Sequence, residues 1–284
     1  MKLFTTALVG IFAATLAIAP IAAAERYETL PYALSPSSAP AESGVADING
    51  AKIHYEVYGK KGDPILLIHG GAGNTEIWGN EINAWLKTNR VIVADTRGHG
   101  ASTAGDLPFS YHQFAEDYVA LLDFLKVDKT ALVGWSDGGI IGIDIALNHP
   151  ERLTKLVALA ANVTTDGVLP TVGDDVIFNK YLDRARGEFE RLSPTKASFD
   201  DYLEQINTLW ATEPAYTDEQ LATITTPTLI LIGDHDQAIS QEHTAHIAQA
   251  IPGSKLVVLE NVSHFAFLQD PDGFNKVVYD FLSE

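Results

Sequence analysis

The 284-residue chain contains no cysteine. That excludes disulfides, thiolate metal sites and a cysteine nucleophile, but it does not fix a compartment, because a core of this size holds without covalent staples. Basic residues are scarce, with 19 Lys and Arg against 37 Asp and Glu, a net charge of −18. A surface so acidic repels phosphate backbones and anionic lipid, so neither nucleic acid nor a membrane surface is an expected partner. Long apolar runs are missing as well, with one exception at the start.

That exception is "MKLFTTALVGIFAATLAIAPIAAAERYE", in which Lys2 precedes an apolar stretch broken by Thr and Pro20 and closed by Ala22, Ala23 and Ala24. It reads as a secretory signal over 1–24, cut between Ala24 and Glu25, and implies a secreted or periplasmic location. Pro20 and the small residues leave too short a run for a retained anchor, so the mature chain is expected to have no membrane span. Residues 25–46 are rich in Ala, Pro and Ser without helical or strand periodicity and read as a flexible leader.

From "AKIHYEVYG" (51–59) the pattern changes to the alternation of a half-buried strand. Short continuous apolar runs follow at 64–69, 90–95, 130–134, 153–161, 227–233 and 254–260, the type that is buried on both faces of a parallel sheet. Helical periodicity separates them, as in "YHQFAEDYVALLDFLKV" and "PDGFNKVVYDFLSE". This alternation predicts an α/β fold with a doubly wound, mostly parallel sheet built from 47–161 and 226–284. Residues 162–225 break the rhythm with two amphipathic helical segments and no strand, and are expected to form an inserted helical cap.

The chemistry centres on "GWSDGG" (134–139), a G-x-S-x-G lying between an apolar strand and a helix. Glycines flanking Ser136 permit a sharp strand-to-helix elbow, which lifts the hydroxyl into a cleft and points a helix N-terminus at any charge that forms there. A serine nucleophile needs a base, and the base an orienting carboxylate. Asp234 and Asp236 follow the 227–233 strand, and His264 follows the 254–260 strand.

In the order Ser136, Asp, His264 the chain resembles the α/β-hydrolase superfamily. That family's acid commonly stands three residues after the strand-end glycine, which implies Asp236. "HGGAGN" (69–74) matches the family's oxyanion loop and implies that the amides of Gly71 and Asp137 bind the oxyanion; "DTRGHGAS" (95–102) matches a structural turn. Within the superfamily the chain is similar to the valacyclovir-hydrolase-like (biphenyl-hydrolase-like) group, which shares "GWSDGG" and a small cap. There the acid after the nucleophile is held to select α-amino substrates, which implies a substrate contact for Asp137. An acid in the first turn of a helix is also favoured by the dipole alone.

The expected activity is hydrolysis of small carboxylic esters by Ser136, His264 and Asp236, with no cofactor, since side chains and backbone complete the chemistry. Lactone opening or carbon–carbon bond hydrolysis by the same residues, and a non-catalytic binding protein on this scaffold, are the alternatives. Trp210, Tyr202 and Phe199 on the second cap helix suit a pocket wall or plain packing equally. Trp210 is carried forward as a candidate substrate contact. His243 and His246 lack a third ligand at metal spacing, so no metal site is expected. Arg184, Arg186 and Arg191 are expected to pair with nearby carboxylates.

Overall fold

The structure, a computed structural model, describes residues 24–195 and 197–284; the expected signal, Ala24 apart, lies outside them. Eight strands form one sheet: β1 (Glu42–Ile48), β2 (Ala51–Tyr58), β3 (Pro64–Ile68), β4 (Arg90–Ala94), β5 (Thr130–Trp135), β6 (Leu153–Leu159), β7 (Thr228–Gly233) and β8 (Lys255–Leu259). Their spatial order is β1-β2-β4-β3-β5-β6-β7-β8. The pairs β1–β2 and β2–β4 are antiparallel and the rest are parallel.

Nine helices accompany them: α1 (Gly79–Trp85), α2 (Tyr111–Phe124), α3 (Asp137–Asn148), α4 (Val176–Leu192), α5 (Phe199–Thr212), α6 (Asp218–Leu221), α7 (Gln241–Ala250), α8 (Ala266–Gln269) and α9 (Pro271–Ser283) among the described residues. Two apolar layers cover the sheet. One draws Phe114, Leu121, Ile141 and Ile247 from α2, α3 and α7; the other draws Ile82, Trp85, Phe274 and Val278 from α1 and α9. This is the expected doubly wound architecture. The carboxyl ends of its parallel strands meet along one edge, where ligands bind in such sheets.

Helices α4, α5 and α6 lie between β6 and β7. Asp175 caps α4 by accepting from the amides of Ile177 and Phe178, both at 2.8 Å, and Ser198 with Asp201 forms a capping box on α5. Ile177, Tyr181, Ala185 and Phe189 recur every fourth residue and bury one face of α4. Phe189 stacks on Tyr202 at 4.8 Å, joining the two cap helices. Arg184 pairs with Glu188, Arg186 with Asp200 and Arg191 with Glu76. The last of these ties the cap to the body.

Two expectations are corrected. Residues 42–46, read as the end of a leader, belong to β1, which pairs with β2 across a turn at Asn49 and Gly50, both with positive φ. Residues 25–41 are also held to the body: Arg26 pairs with Asp270 at 2.8 Å, Gln269 donates to Thr29 O at 2.7 Å, and Asn80 accepts from Leu34 N at 3.1 Å. The 254–260 run, expected to be buried on both faces, is the sheet's edge strand, with Leu256 and Val258 exposed by 41% and 44%.

Glu81 on α1 is fully buried, and neither of its carboxylate oxygens has a hydrogen-bond partner. Burial pushes its carboxyl well above the ordinary range, against weaker pulls from its own amide and the Asn275 side chain. A raised folded-state pKa stabilises fully below the unfolded value and loses that contribution as pH rises towards the folded value. Glu81→Gln is therefore expected to gain about 1.4 kcal/mol per pH unit over wild type between those two values, measured by urea unfolding. A difference that stays flat above pH 4.5, the ordinary value for this side chain, would show Glu81 to be ionised in the folded protein.

Candidate active site

At the end of β5 the chain turns at Ser136, with φ 53° and ψ −121°, directly into α3. The Ser136 amide donates to Leu159 O at 2.8 Å, and its carbonyl accepts from Gly139 N and Ile140 N at 2.8 and 3.1 Å. Backbone packs on backbone here: a Cβ on Gly134 would run into the Gly138 carbonyl oxygen, and one on Gly138 into that of Ile68. A Cβ on Gly70 would lie 3.0 Å from that of Ser136, so the loop after β3 abuts the turn.

His264, only 2% exposed, places Nδ1 3.1 Å from both carboxylate oxygens of Asp236. Asp236 also accepts from the amides of Ala238 and Ile239, both at 2.8 Å. Three donors thus satisfy a buried carboxylate, fixing the imidazole and assigning its proton to Nδ1, which leaves Nε2 as an acceptor. Asp234 is engaged elsewhere, with His235 Nδ1 at 2.8 Å and Val262 N at 3.2 Å. Trp135 Nε1 donates to His264 O at 2.8 Å, tying the histidine loop to the residue before Ser136. Sequence reasoning passed over this contact, and Trp135 carried no signal beyond its place in the motif.

His69 orients the loop containing Gly71. Its Nε2 accepts from Thr96 N at 3.0 Å, so the proton sits on Nδ1, which donates to Gly70 O at 2.7 Å. Gly70 O and Gly71 N belong to one planar peptide, so this bond fixes where the Gly71 N–H points. Burial lowers the pKa of His69 and favours the neutral ring. Tyr181 from the cap donates to Gly71 O at 2.8 Å. The Asp137 amide is among the first of α3, which have no partner within a helix.

Ser136, His264, Asp137 and Trp210 line one cavity of about 200 Å³. The lining is part apolar, with Val168, Val172, Phe178 and Ile239, and part polar, with Tyr111, Asn162, Asn207, Asp137 and Glu213. Asp137 is 6% exposed, and its carboxylate accepts from Tyr111 OH at 3.1 Å and from Trp210 Nε1 at 3.0 and 3.1 Å. Burial pushes its pKa up to about 6, against those two hydrogen bonds. Trp210 thus faces the cavity, whereas Tyr202 and Phe199 are buried in the packing beneath the cap. Tyr111, Asn162 and Glu213 were missed; for Tyr111 the signal was the Ser110 cap that places it at the start of α2.

The other histidines engage elsewhere. His243 Nε2 accepts from Val163 N at 3.0 Å and His246 pairs with Asp218 at 2.9 Å. No group of three metal-ligating side chains converges among the described residues, and none of their helices is long and apolar enough to cross a membrane.

A family model described as "Alpha/beta hydrolase family" matches residues 65–277. The human protein named serine hydrolase BPHL is 28% identical over 250 residues, covering 83% of this chain and 84% of that protein. The 3-oxoadipate enol-lactonase 2 of Acinetobacter baylyi is 28% identical over 247 residues, 80% of this chain and 91% of that protein. Among solved structures, Est816, described as an N-acyl homoserine lactone degrading enzyme, superposes with a TM-score of 0.72 at 28% identity, over 84% of this chain and 100% of that one.

The backbone contact at the turn makes a local prediction. Gly138→Ala is expected to destabilise the fold by about 1–3 kcal/mol or more, because the clash is with main chain that cannot rotate away. On α4, a Cβ at Gly187 meets nothing within 4 Å, so Gly187→Ala is expected to stabilise by about 0.5–1 kcal/mol. Urea midpoints of the two variants check this, and equal midpoints would refute it.

Proposed function

Because the chain belongs to the alpha/beta hydrolase family, we propose that it is a serine hydrolase of small carboxylic esters, favouring those with an α-ammonium group. One observation carries this reading: the Asp236–His264 pair, Ser136 at its turn and the Asp137 carboxylate meet at a single cavity. Ser136 Oγ attacks the acyl carbon as His264 Nε2 takes its proton. Asp236 stabilises the imidazolium, and the Gly71 and Asp137 amides hold the oxyanion, each donor worth about 3 kcal/mol in comparable sites. The intermediate collapses as His264 returns the proton to the leaving alcohol. Water then repeats the sequence, releasing the acid and restoring Ser136.

The preference rests on charge. Among the described residues no lysine or arginine lines the cavity, so an acyl chain bearing a carboxylate meets only Asp137 and Glu213. An ammonium beside the scissile carbonyl meets the Asp137 carboxylate instead. The enzyme acts outside the cytoplasm, on the strength of the signal-like residues 1–24. N-terminal sequencing of the exported protein is expected to begin at Glu25, and a chain still carrying Met1 would sink that assignment.

The deciding measurement is kcat/KM on a nitrophenyl ester with an α-ammonium and on its neutral isostere, with Ser136→Ala as the blank. The cationic ester is expected to lead by about tenfold, or roughly 1.4 kcal/mol of transition-state preference. That lead is expected to shrink as pH falls through about 6 and Asp137 takes up its proton, and to be small at every pH in Asp137→Asn. His264 acts on both esters and cancels from the ratio. Equal rates on the two esters would defeat the α-amino reading, and a neutral lactone turned over faster than either would place the enzyme among lactonases.

A further inference from the structure

We propose that Glu213 is a second specificity-determining carboxylate, which fits the cavity to esters of diamino acids such as lysine. The inference rests on the α-amino reading above and extends it to a second carboxylate of the same cavity.

Glu213 follows the last residue of α5 and lines the cavity with Asp137. The two carboxylates reach opposite ends of one side chain: Tyr111 OH donates to Asp137 Oδ1 at 3.1 Å, and Tyr111 N donates to Glu213 Oε2 at 3.0 Å. The two are therefore separate acceptor sites, one at the phenol and one at the main chain of Tyr111, which two nitrogens borne on one flexible side chain can answer. Glu213 Oε1 makes no hydrogen bond among the described residues. It is the oxygen left for a ligand.

Asn162 gives an independent observation from another element. It is 7% exposed and lines the same cavity, and its Nδ2 donates to Thr164 O at 3.0 Å. That orientation leaves Oδ1, which has no partner among the described residues, as a further acceptor. Asp137, Glu213 and Asn162 thus bring acceptors to a cavity whose lining among the described residues has no lysine or arginine. Such a lining complements a substrate with several N–H donors, since a single α-ammonium at Asp137 leaves Glu213 and Asn162 unanswered. The apolar lining residues Val168, Phe178 and Ile239 suit the methylenes of such a side chain.

The bond from Tyr111 N also gives Glu213 a structural duty, because it fastens the end of α5 to the start of α2. Glu213→Gln separates the two roles: its amide oxygen still accepts from Tyr111 N while the charge is gone.

The test uses ethyl lysinate, ethyl norleucinate and ethyl hexanoate, three acyl groups of one chain length that carry two, one and no amino groups. Acid release is followed at pH 7.5, an arbitrary choice of about 1.5 units above the Asp137 value, with Ser136→Ala as the blank. Wild type is expected to prefer lysinate to norleucinate by about fivefold or more in kcat/KM, the scale of a half-buried ion pair. Glu213→Gln is expected to bring that ratio close to one. Calorimetric affinities of Ser136→Ala for the lysine and norleucine esters should show the same ratio independently of turnover. Equal lysinate and norleucinate values in wild type, or a preference that survives Glu213→Gln, would overturn the proposal. The norleucinate to hexanoate ratio reports on Asp137 alone, so a failure of the α-amino reading registers there and leaves the Glu213 comparison intact.

Discussion

The backbone at Ser136 is held where an L-residue rarely rests. A φ of 53° with ψ −121° costs a non-glycine residue on the order of 1–3 kcal/mol, and such a turn persists only where its surroundings over-determine it. Here they do so from three directions. The amide is fixed to β6 through Leu159 O, the carbonyl is fixed by the first amides of α3, and the flanking glycines admit the backbone of β3 and of α3 itself. Residues on either side inherit their positions from this turn: Trp135 reaches back to the histidine loop, and Asp137 begins the helix whose first amides have no internal partner.

Two buried aspartates beside that turn have opposite surroundings. Asp236 receives two backbone amides and the His264 ring, so both of its oxygens have a donor away from water. Asp137 receives only a phenol and an indole, which do not offset its burial, and its pKa rises to about 6. The first arrangement holds the His264 ring in place. The second leaves a carboxylate short of partners at the cavity, where the ammonium of the proposed substrate would supply what the protein does not.

The α/β sheet was legible because its signals are local: continuous apolar runs for buried parallel strands, and a four-residue period for the helices between them. The first strand escaped notice although Asn49–Gly50 is a strong hairpin signal, because the Ala- and Pro-rich residues before it carry no alternation. The edge strand β8 shows the converse. "LVVL" has the composition of a buried strand, yet edge position is a property of the sheet order and leaves no mark on the strand itself. Ser136, His264 and the pair Asp234/Asp236 could be named because each follows a strand, so the topology fixes their neighbourhood; the choice of Asp236 came from the family resemblance. Much of the cavity lining could not, since Tyr111, Asn162, Phe178 and Glu213 come from four separate segments that only the tertiary fold brings together.

The turn marked as purely structural, "DTRGHGAS", bears on the site at one remove. Asp95 accepts from Thr75 N at 2.7 Å and Ala101 N at 2.8 Å; burial opposes its charge, but the His54 hydrogen bond and neighbouring donors bring its pKa below the ordinary range. Arg97 is buried in a two-pronged contact with Asp117 at 2.7 and 2.8 Å, and these anchors hold the chain between them. That chain carries Thr96, whose amide sets the tautomer of His69 and so, through Gly70 O, the direction of the Gly71 N–H. A motif with no reacting atom thus determines how the Gly71 N–H, the proposed oxyanion donor, is aimed. The cap reaches the adjacent peptide through Tyr181, so the loop is held by both the body and the cap. Any motion of α4 that carries Tyr181 with it acts on Gly71 as well, and would couple entry of the proposed substrate to the direction of the Gly71 N–H.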